Sequence, residues 1–135
     1  PLVSAKQLQT VSSFLLDEQG NRRKDIAYQG KVPPGEGFWF PPTVVVPEDS
    51  QDRILREEIF GPIVAVIPFE DEADAIRIAN DSEHGLSGAI WTRDVGRALR
   101  VARAVEAGNL SVNSHSSVRY STPFGGYKKS GLGRE

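Results

Sequence analysis

No cysteine occurs anywhere in the 135 residues, and no methionine either. The first absence excludes a disulfide framework and any thiolate nucleophile supplied from within the chain. His84 and His115 are the only histidines, too few for an ordinary zinc site, whose ligands are drawn mainly from Cys and His. No apolar run reaches the roughly eighteen residues that a membrane-crossing helix needs. No signal-peptide pattern stands at the start, so the expectation is a cytoplasmic chain with no membrane partner. A dominant charge is missing as well: the net charge of -2 leaves no general footprint for nucleic acid. What is present is balanced, 39% apolar and 25% charged, as in an ordinary folded domain. The length suffices for one modest core. The missing initiator and the end at Gly133-Arg134-Glu135, with no closing element after it, suit a piece of a longer protein.

The chain is organised around Glu57-Glu58-Ile59-Phe60-Gly61-Pro62. Gly61-Pro62 punctuates the backbone, since the residue before a proline is pushed out of the helical region. Glu58 and Phe60 are thereby presented on a turn just ahead of the apolar run Ile63–Ile67. Two readings fit this pattern: a strand-leading turn with one exposed acid, or a turn that holds a carboxylate and a ring against a ligand.

Ser4 and Gln7 match a capping box opening an amphipathic helix from about Ser4 to Leu16, with Leu8, Val11 and Leu15 on its apolar face. A polar, Gly- and Pro-punctuated connection follows, containing the basic cluster Arg22-Arg23-Lys24, read as solvated or as a phosphate contact. A short strand is expected near Ile26–Tyr28. Thr43–Val46 is a β-branched strand whose start Pro41 and Pro42 keep away from central pairing. The aromatic triplet Phe38-Trp39-Phe40 before it suits packing or a pocket wall. A helical turn at Asp52–Arg56 leads to the acid pair. The run Ile63–Ile67 suits a strand covered on both faces.

Asp71 caps the next helix, with Ala75, Ile76 and Ala79 on its inner stripe; Gly85–Trp91 is a short strand. Asp94 caps a second helix with Val95, Ala98, Leu99, Ala102 and Val105 inward, stopped by Gly108 as C′ residue. Asn109–Asn113 is the last strand. This rhythm predicts an α/β fold, a mainly parallel sheet with crossover helices. Ligands then meet the carboxyl ends of the strands, which points to the polar segment Ser114–Thr122. The glycines of Phe124-Gly125-Gly126-Tyr127 permit a positive φ or a close backbone approach.

These motifs together resemble the C-terminal part of the catalytic domain of an NAD(P)-dependent aldehyde dehydrogenase. The resemblance is carried by Glu57–Pro62, Asn80-Asp81-Ser82-Glu83-His84-Gly85-Leu86, Ala107-Gly108-Asn109 before Val112-Asn113, and Pro123 to Glu135. It runs over nearly the whole chain, in order. It implies that residues 1–135 are a portion of such a domain, within an enzyme that oxidises an aldehyde to a carboxylic acid and works as a homo-oligomer. It implies that Glu58 hydrogen-bonds the nicotinamide ribose hydroxyls of NAD or NADP, and that Phe60 packs near the nicotinamide. Phe124 matches an aromatic at the substrate tunnel, and Ser114–Thr122, Val118 included, the substrate-selecting loop. His115 and Arg119 in that loop either meet a polar or anionic substrate tail or face solvent. Lys128 and Lys129 are expected to be solvated, and His84 to sit in a structural turn.

The family's chemistry needs a cysteine that forms a thiohemiacetal, a glutamate that activates water, and an asparagine on the oxyanion. The resemblance places all three outside these residues, so the chain alone is expected to be inactive. A second reading is a non-catalytic binding or assembly module, docking through an exposed sheet edge and the aromatic segment.

Overall fold

The structure, a computed structural model, describes residues 1–17, 19–115 and 120–134. Among these the chain forms two compact units, residues 1–68 and 69–135.

The first unit begins with α1 (Ala5–Ser13), capped by the Ser4 hydroxyl accepting from the Gln7 amide. The helix is shorter than its sequence pattern, but Val11, Phe14 and Leu15 are buried as their spacing requires. Strand β1 (Ile26–Gln29) pairs antiparallel with β2 (Thr43–Val45), which pairs parallel with β3 (Ile63–Ala65). Strand β2 is therefore central, with Pro41 and Pro42 lying ahead of its paired residues. Pairing starts at Thr43, whose amide donates to the Pro62 carbonyl, so the missing proline N–H groups fall ahead of the ladder. The Pro42 carbonyl still accepts from Gly30. Phe14, Leu15, Val45 and Ile54 form the core, with Phe40, Ile59 and Ile63 packed against it.

The run Ile63–Ile67 is not covered on both faces: Val64 is 58% exposed, and Val66 and Ile67 are exposed too. Burial alternates along β3, the pattern of a strand packed on one side. The short helix α2 (Arg53–Arg56) is N-capped by Asp52. Asp52 and Asp25 both pair with Arg23, whose side chain is only 8% exposed. The middle residue of the basic cluster is thus neither solvated nor a phosphate contact. Its guanidinium holds both carboxylates well below the usual aspartate range.

In the second unit α3 (Glu72–Asn80) and α4 (Val95–Ala104) are capped by Asp71 and Asp94, as predicted. Strand β5 (Ser87–Ile90), α4 and β6 (Asn109–Val112) make a strand–helix–strand crossover with the two strands parallel. Two-residue strands β4 (His84–Gly85) and β7 (Tyr127–Lys128) pair antiparallel, so His84 lies in a strand, not a turn. The α/β class with parallel pairs and crossover helices holds. The parallel pairs are β2 with β3 in the first unit and β5 with β6 in the second.

Both inner stripes are rotated from expectation. On α3, Ile78 is half-buried while Ala79 is exposed. On α4, Val95 and Leu99 are exposed, and Ala98, Val101, Ala102 and Val105 face inward. That set is itself an i, i+3, i+4, i+7 stripe, one of two overlapping stripes the sequence carries. Glu72 pairs with Arg97 and Arg100 and ties α3 to α4 across the exposed side.

Candidate functional site

The turn Glu57–Pro62 is held from two directions. From α2, Glu57 pairs with Arg53 at 3.2 Å, and the Arg53 guanidinium lies 4.1 Å from the Phe14 ring centre. From α1, the Gln7 side-chain amide donates to the carbonyls of both Ile59 and Phe60, at 3.1 Å each. The Gln7 side chain therefore does not complete the predicted capping box by turning back to Ser4. It reaches forward across more than fifty residues instead.

Phe60 has φ +50°, the left-handed region, which costs a residue with a side chain about 1–2 kcal/mol. Two hydrogen bonds, each worth about 1 kcal/mol net, are of the size needed to offset that. The following Gly61 seats the turn on the helix: a Cβ there would lie 2.6 Å from both Val11 methyl groups. Burial then sorts the residues: Ile59 packs on the core, while Glu58 is exposed and Phe60 is 76% exposed. Glu57 is engaged by Arg53, but among the described residues no hydrogen bond or ion pair engages the Glu58 carboxylate. A carboxylate accepts only and has capacity for two hydroxyl donors at once. Exposed on the same turn as a projecting ring, it is open to hydroxyl donors from outside the turn.

The second unit presents the other predicted residues separately. At the carboxyl ends of β5 and β6, Asn113 (φ +52°) accepts from the Thr92 amide and donates to the Thr92 carbonyl, both at 3.0 Å. This ties the ends of β5 and β6 together just ahead of Ser114. His115 in that loop is exposed. Val118 and Arg119 lie outside the described residues. Phe124 is half-buried, and the next residue, Gly125, is buried, its carbonyl accepting from the side-chain amide of Asn109 at 2.9 Å.

Gly108 explains how close the tail comes: a Cβ there would stand 1.7 Å from the Gly125 carbonyl oxygen. It is not the C′ stop that the sequence predicted, since α4 ends at Ala104 with Val105 as its C-cap. Gly125 likewise has no room for a Cβ, which would lie 2.3 Å from the Gly133 carbonyl. Lys128 is not simply solvated: its ammonium donates to the Asn80 and Ser82 carbonyls, at 2.7 and 2.9 Å, and pairs with Glu106. Lys129 is an exposed partner of Glu83. Sequence reasoning missed Gln7, Lys128 and the roles of Gly61 and Gly108, because each acts on a residue far away in the chain.

The first unit thus presents a braced turn with an exposed carboxylate and a ring, and the second a parallel strand–helix–strand crossover with a Gly-rich tail. The chain belongs to the aldehyde dehydrogenase family, whose model matches residues 1–135. It is 39% identical, over its whole length, to an aldehyde dehydrogenase of Emericella nidulans, of which it covers 27%. A Mycobacterium tuberculosis aldehyde dehydrogenase solved with NAD+ is 40% identical and superposes with a TM-score of 0.84, over 99% of this chain and 28% of that one. Betaine aldehyde dehydrogenase of Staphylococcus aureus in complex with NAD+ is 38% identical with a TM-score of 0.85, over 99% and 27%. The chain thus spans about a quarter of the length of these relatives.

Proposed function

We propose that these residues are the C-terminal portion of the catalytic domain of an NAD-dependent aldehyde dehydrogenase, an enzyme converting an aldehyde to a carboxylic acid. The reading rests on the pairing of the unengaged, exposed Glu58 carboxylate with the left-handed, projecting Phe60 on a braced turn. In this reading Glu58 accepts hydrogen bonds from both hydroxyls of the nicotinamide ribose, and Phe60 limits the swing of the attached ring. Their contribution is orientation, which counts because a misplaced reactant loses rate steeply. When bound, the nicotinamide supplies a hydride acceptor. The cysteine that carries the aldehyde as a thiohemiacetal, and the groups that activate water and hold the oxyanion, belong to other segments of the protein. The isolated 135 residues are accordingly inactive.

In the second unit Phe124 and the Ser114–Thr122 segment, with His115, Val118 and Arg119, meet the aldehyde. The polar character of that segment favours a polar substrate. NAD+ in both solved relatives supports NAD as the cofactor, and comparison of the two cofactors at equal concentration would decide against NADP or for it. The intact protein is proposed to work as a cytoplasmic homo-oligomer.

Glu58→Ala in the intact protein tests the central assignment. Single-turnover hydride transfer should slow by on the order of a hundredfold. An unchanged rate would remove Glu58 from the cofactor site. A non-catalytic assembly module has no use for that free carboxylate. Gel filtration of this chain with a full-length relative would still detect such a complex.

A further inference from the structure

We propose that Gln7 is the positioning residue of the Glu58–Phe60 turn, acting on the cofactor through the backbone that it holds. The inference rests on the reading of that turn as the nicotinamide riboside contact. Glu58 has no side-chain partner of its own among the described residues, so its place is set by the backbone on either side.

That backbone is unusual. In extended chain successive carbonyls point to opposite sides, and one donor cannot reach two in a row. The Gln7 amide reaches the carbonyls of Ile59 and Phe60 together because Phe60 is left-handed. The non-extended Phe60 and the shared donor therefore support each other. A further bond closes the turn behind them, from the Ile63 amide to the Gly61 carbonyl at 2.8 Å.

Gln7 is itself fixed at its base. Its backbone amide donates to the Ser4 hydroxyl at 3.1 Å, and one turn further along the helix Val11 is fully buried against the Cα of Gly61. The path runs Ser4 to Gln7, then to the Ile59 and Phe60 carbonyls, and so to the Glu58 carboxylate. A glutamine is well matched to this place: its amide has two N–H donors, one for each carbonyl. A glutamate would set a charge against two carbonyl dipoles, and a methionine of similar length has nothing to donate.

The test uses the intact protein with Gln7→Met, Gln7→Lys and Glu58→Ala, reading amide hydrogen exchange of residues 57–63 and the dissociation constant for NAD. Gln7→Met should speed exchange in that stretch and weaken NAD on the order of tenfold. The thermal midpoint should fall modestly, by no more than the loss of two hydrogen bonds accounts for. Gln7→Lys, which restores a donor, should recover most of both. Unchanged exchange and unchanged NAD affinity in Gln7→Met would overturn the proposal. A lower thermal midpoint with unaltered NAD binding would do so equally, since it would mark a merely structural role. If Gln7→Met loosens the turn while Glu58→Ala leaves NAD binding and hydride transfer untouched, the cofactor reading itself is at fault. The positioning role then falls with it.

Discussion

Gln7 and Phe60 lie more than fifty residues apart, yet the side-chain amide of the first takes no part in its own helix cap and instead holds the carbonyl of the second at 3.1 Å. Phe60 keeps φ +50° in consequence, so its ring and its backbone carry separable duties. Asn tolerates the left-handed region better than other residues with side chains. Phe60→Asn should therefore leave the unfolding free energy of the intact protein within about 1 kcal/mol of the parent while weakening NAD binding. Phe60→Val, β-branched and ill-suited to positive φ, should lose both. Equal stability of the two variants in urea titrations would mean that the left-handed backbone is not under strain.

Gly61 and Val11 give a second test of the same seat. Adding a methyl group at Gly61 drives it to 2.6 Å from both Val11 methyls, and Val11 has no exposed surface by which to retreat. Overpacking of this kind costs about 1–3 kcal/mol. Gly61→Ala should lose that much, and Val11→Ala should lose a comparable amount by leaving a void. The double variant should then be less destabilised than the sum, because the new methyl partly fills the space vacated. Strict additivity in denaturant titration would show that the turn moves aside freely.

Lys128 anchors the tail of the second unit. Its ammonium meets the Asn80 and Ser82 carbonyls at the end of α3, and Glu106 after α4. Lys128→Met keeps the aliphatic stem but strands those acceptors. The β4–β7 pair joins only two residues on each side, and the Gly85 amide donating to the Ser130 hydroxyl and the Lys129–Glu83 pair stand beside it. Hydrogen exchange of residues 124–131 should rise several-fold, with α1 and the first unit unaffected. Protection equal to the parent would assign the anchoring to the remaining contacts of the tail and leave Lys128 without that role.

What is legible in the sequence is what is local. Ser4, Asp52, Asp71 and Asp94 cap helices because a side chain reaches an amide two or three residues on, and that geometry is encoded in four adjacent letters. The β5–α4–β6 crossover is likewise visible from its alternating patterns. Val95 and Leu99 are misplaced inward because α4 carries two overlapping apolar stripes, and periodicity does not say which one meets the sheet. Gln7 looks like half of a capping box for a similar reason: the box is a local rule, and its actual carbonyl partners stand at Ile59 and Phe60. Gly108 resembles a helix stop, while its constraint is the carbonyl of Gly125. Arg23 looks solvated within a basic run because Asp52, its more distant partner, is invisible at that range. The motif Glu57–Pro62 stands out in the sequence, but its bracing does not.

The Arg23 cluster also sets a pH dependence whose sign follows from its direction. Asp25 and Asp52 are held below the ordinary aspartate value of 3.8, chiefly by hydrogen bonds from the Arg23 guanidinium. A carboxylate depressed in the folded state stabilises the fold at every pH above its unfolded value, and that contribution fades as pH falls through the folded one. Asp52→Asn isolates the effect, since asparagine still caps α2 well but no longer bears the charge. At pH 7 the variant should be less stable than the parent by about 2 kcal/mol, the scale of a hydrogen bond to a charged group. Below about pH 4 the gap should begin to narrow, and it closes as pH falls through the depressed folded value, because protonation costs the parent the same interaction while the variant's amide has none to lose. Thermal or urea midpoints taken across about pH 2–8 would show converging curves. Parallel curves would mean that the pairing of Arg23 with Asp52 contributes nothing to stability, leaving Asp25 as the partner that matters.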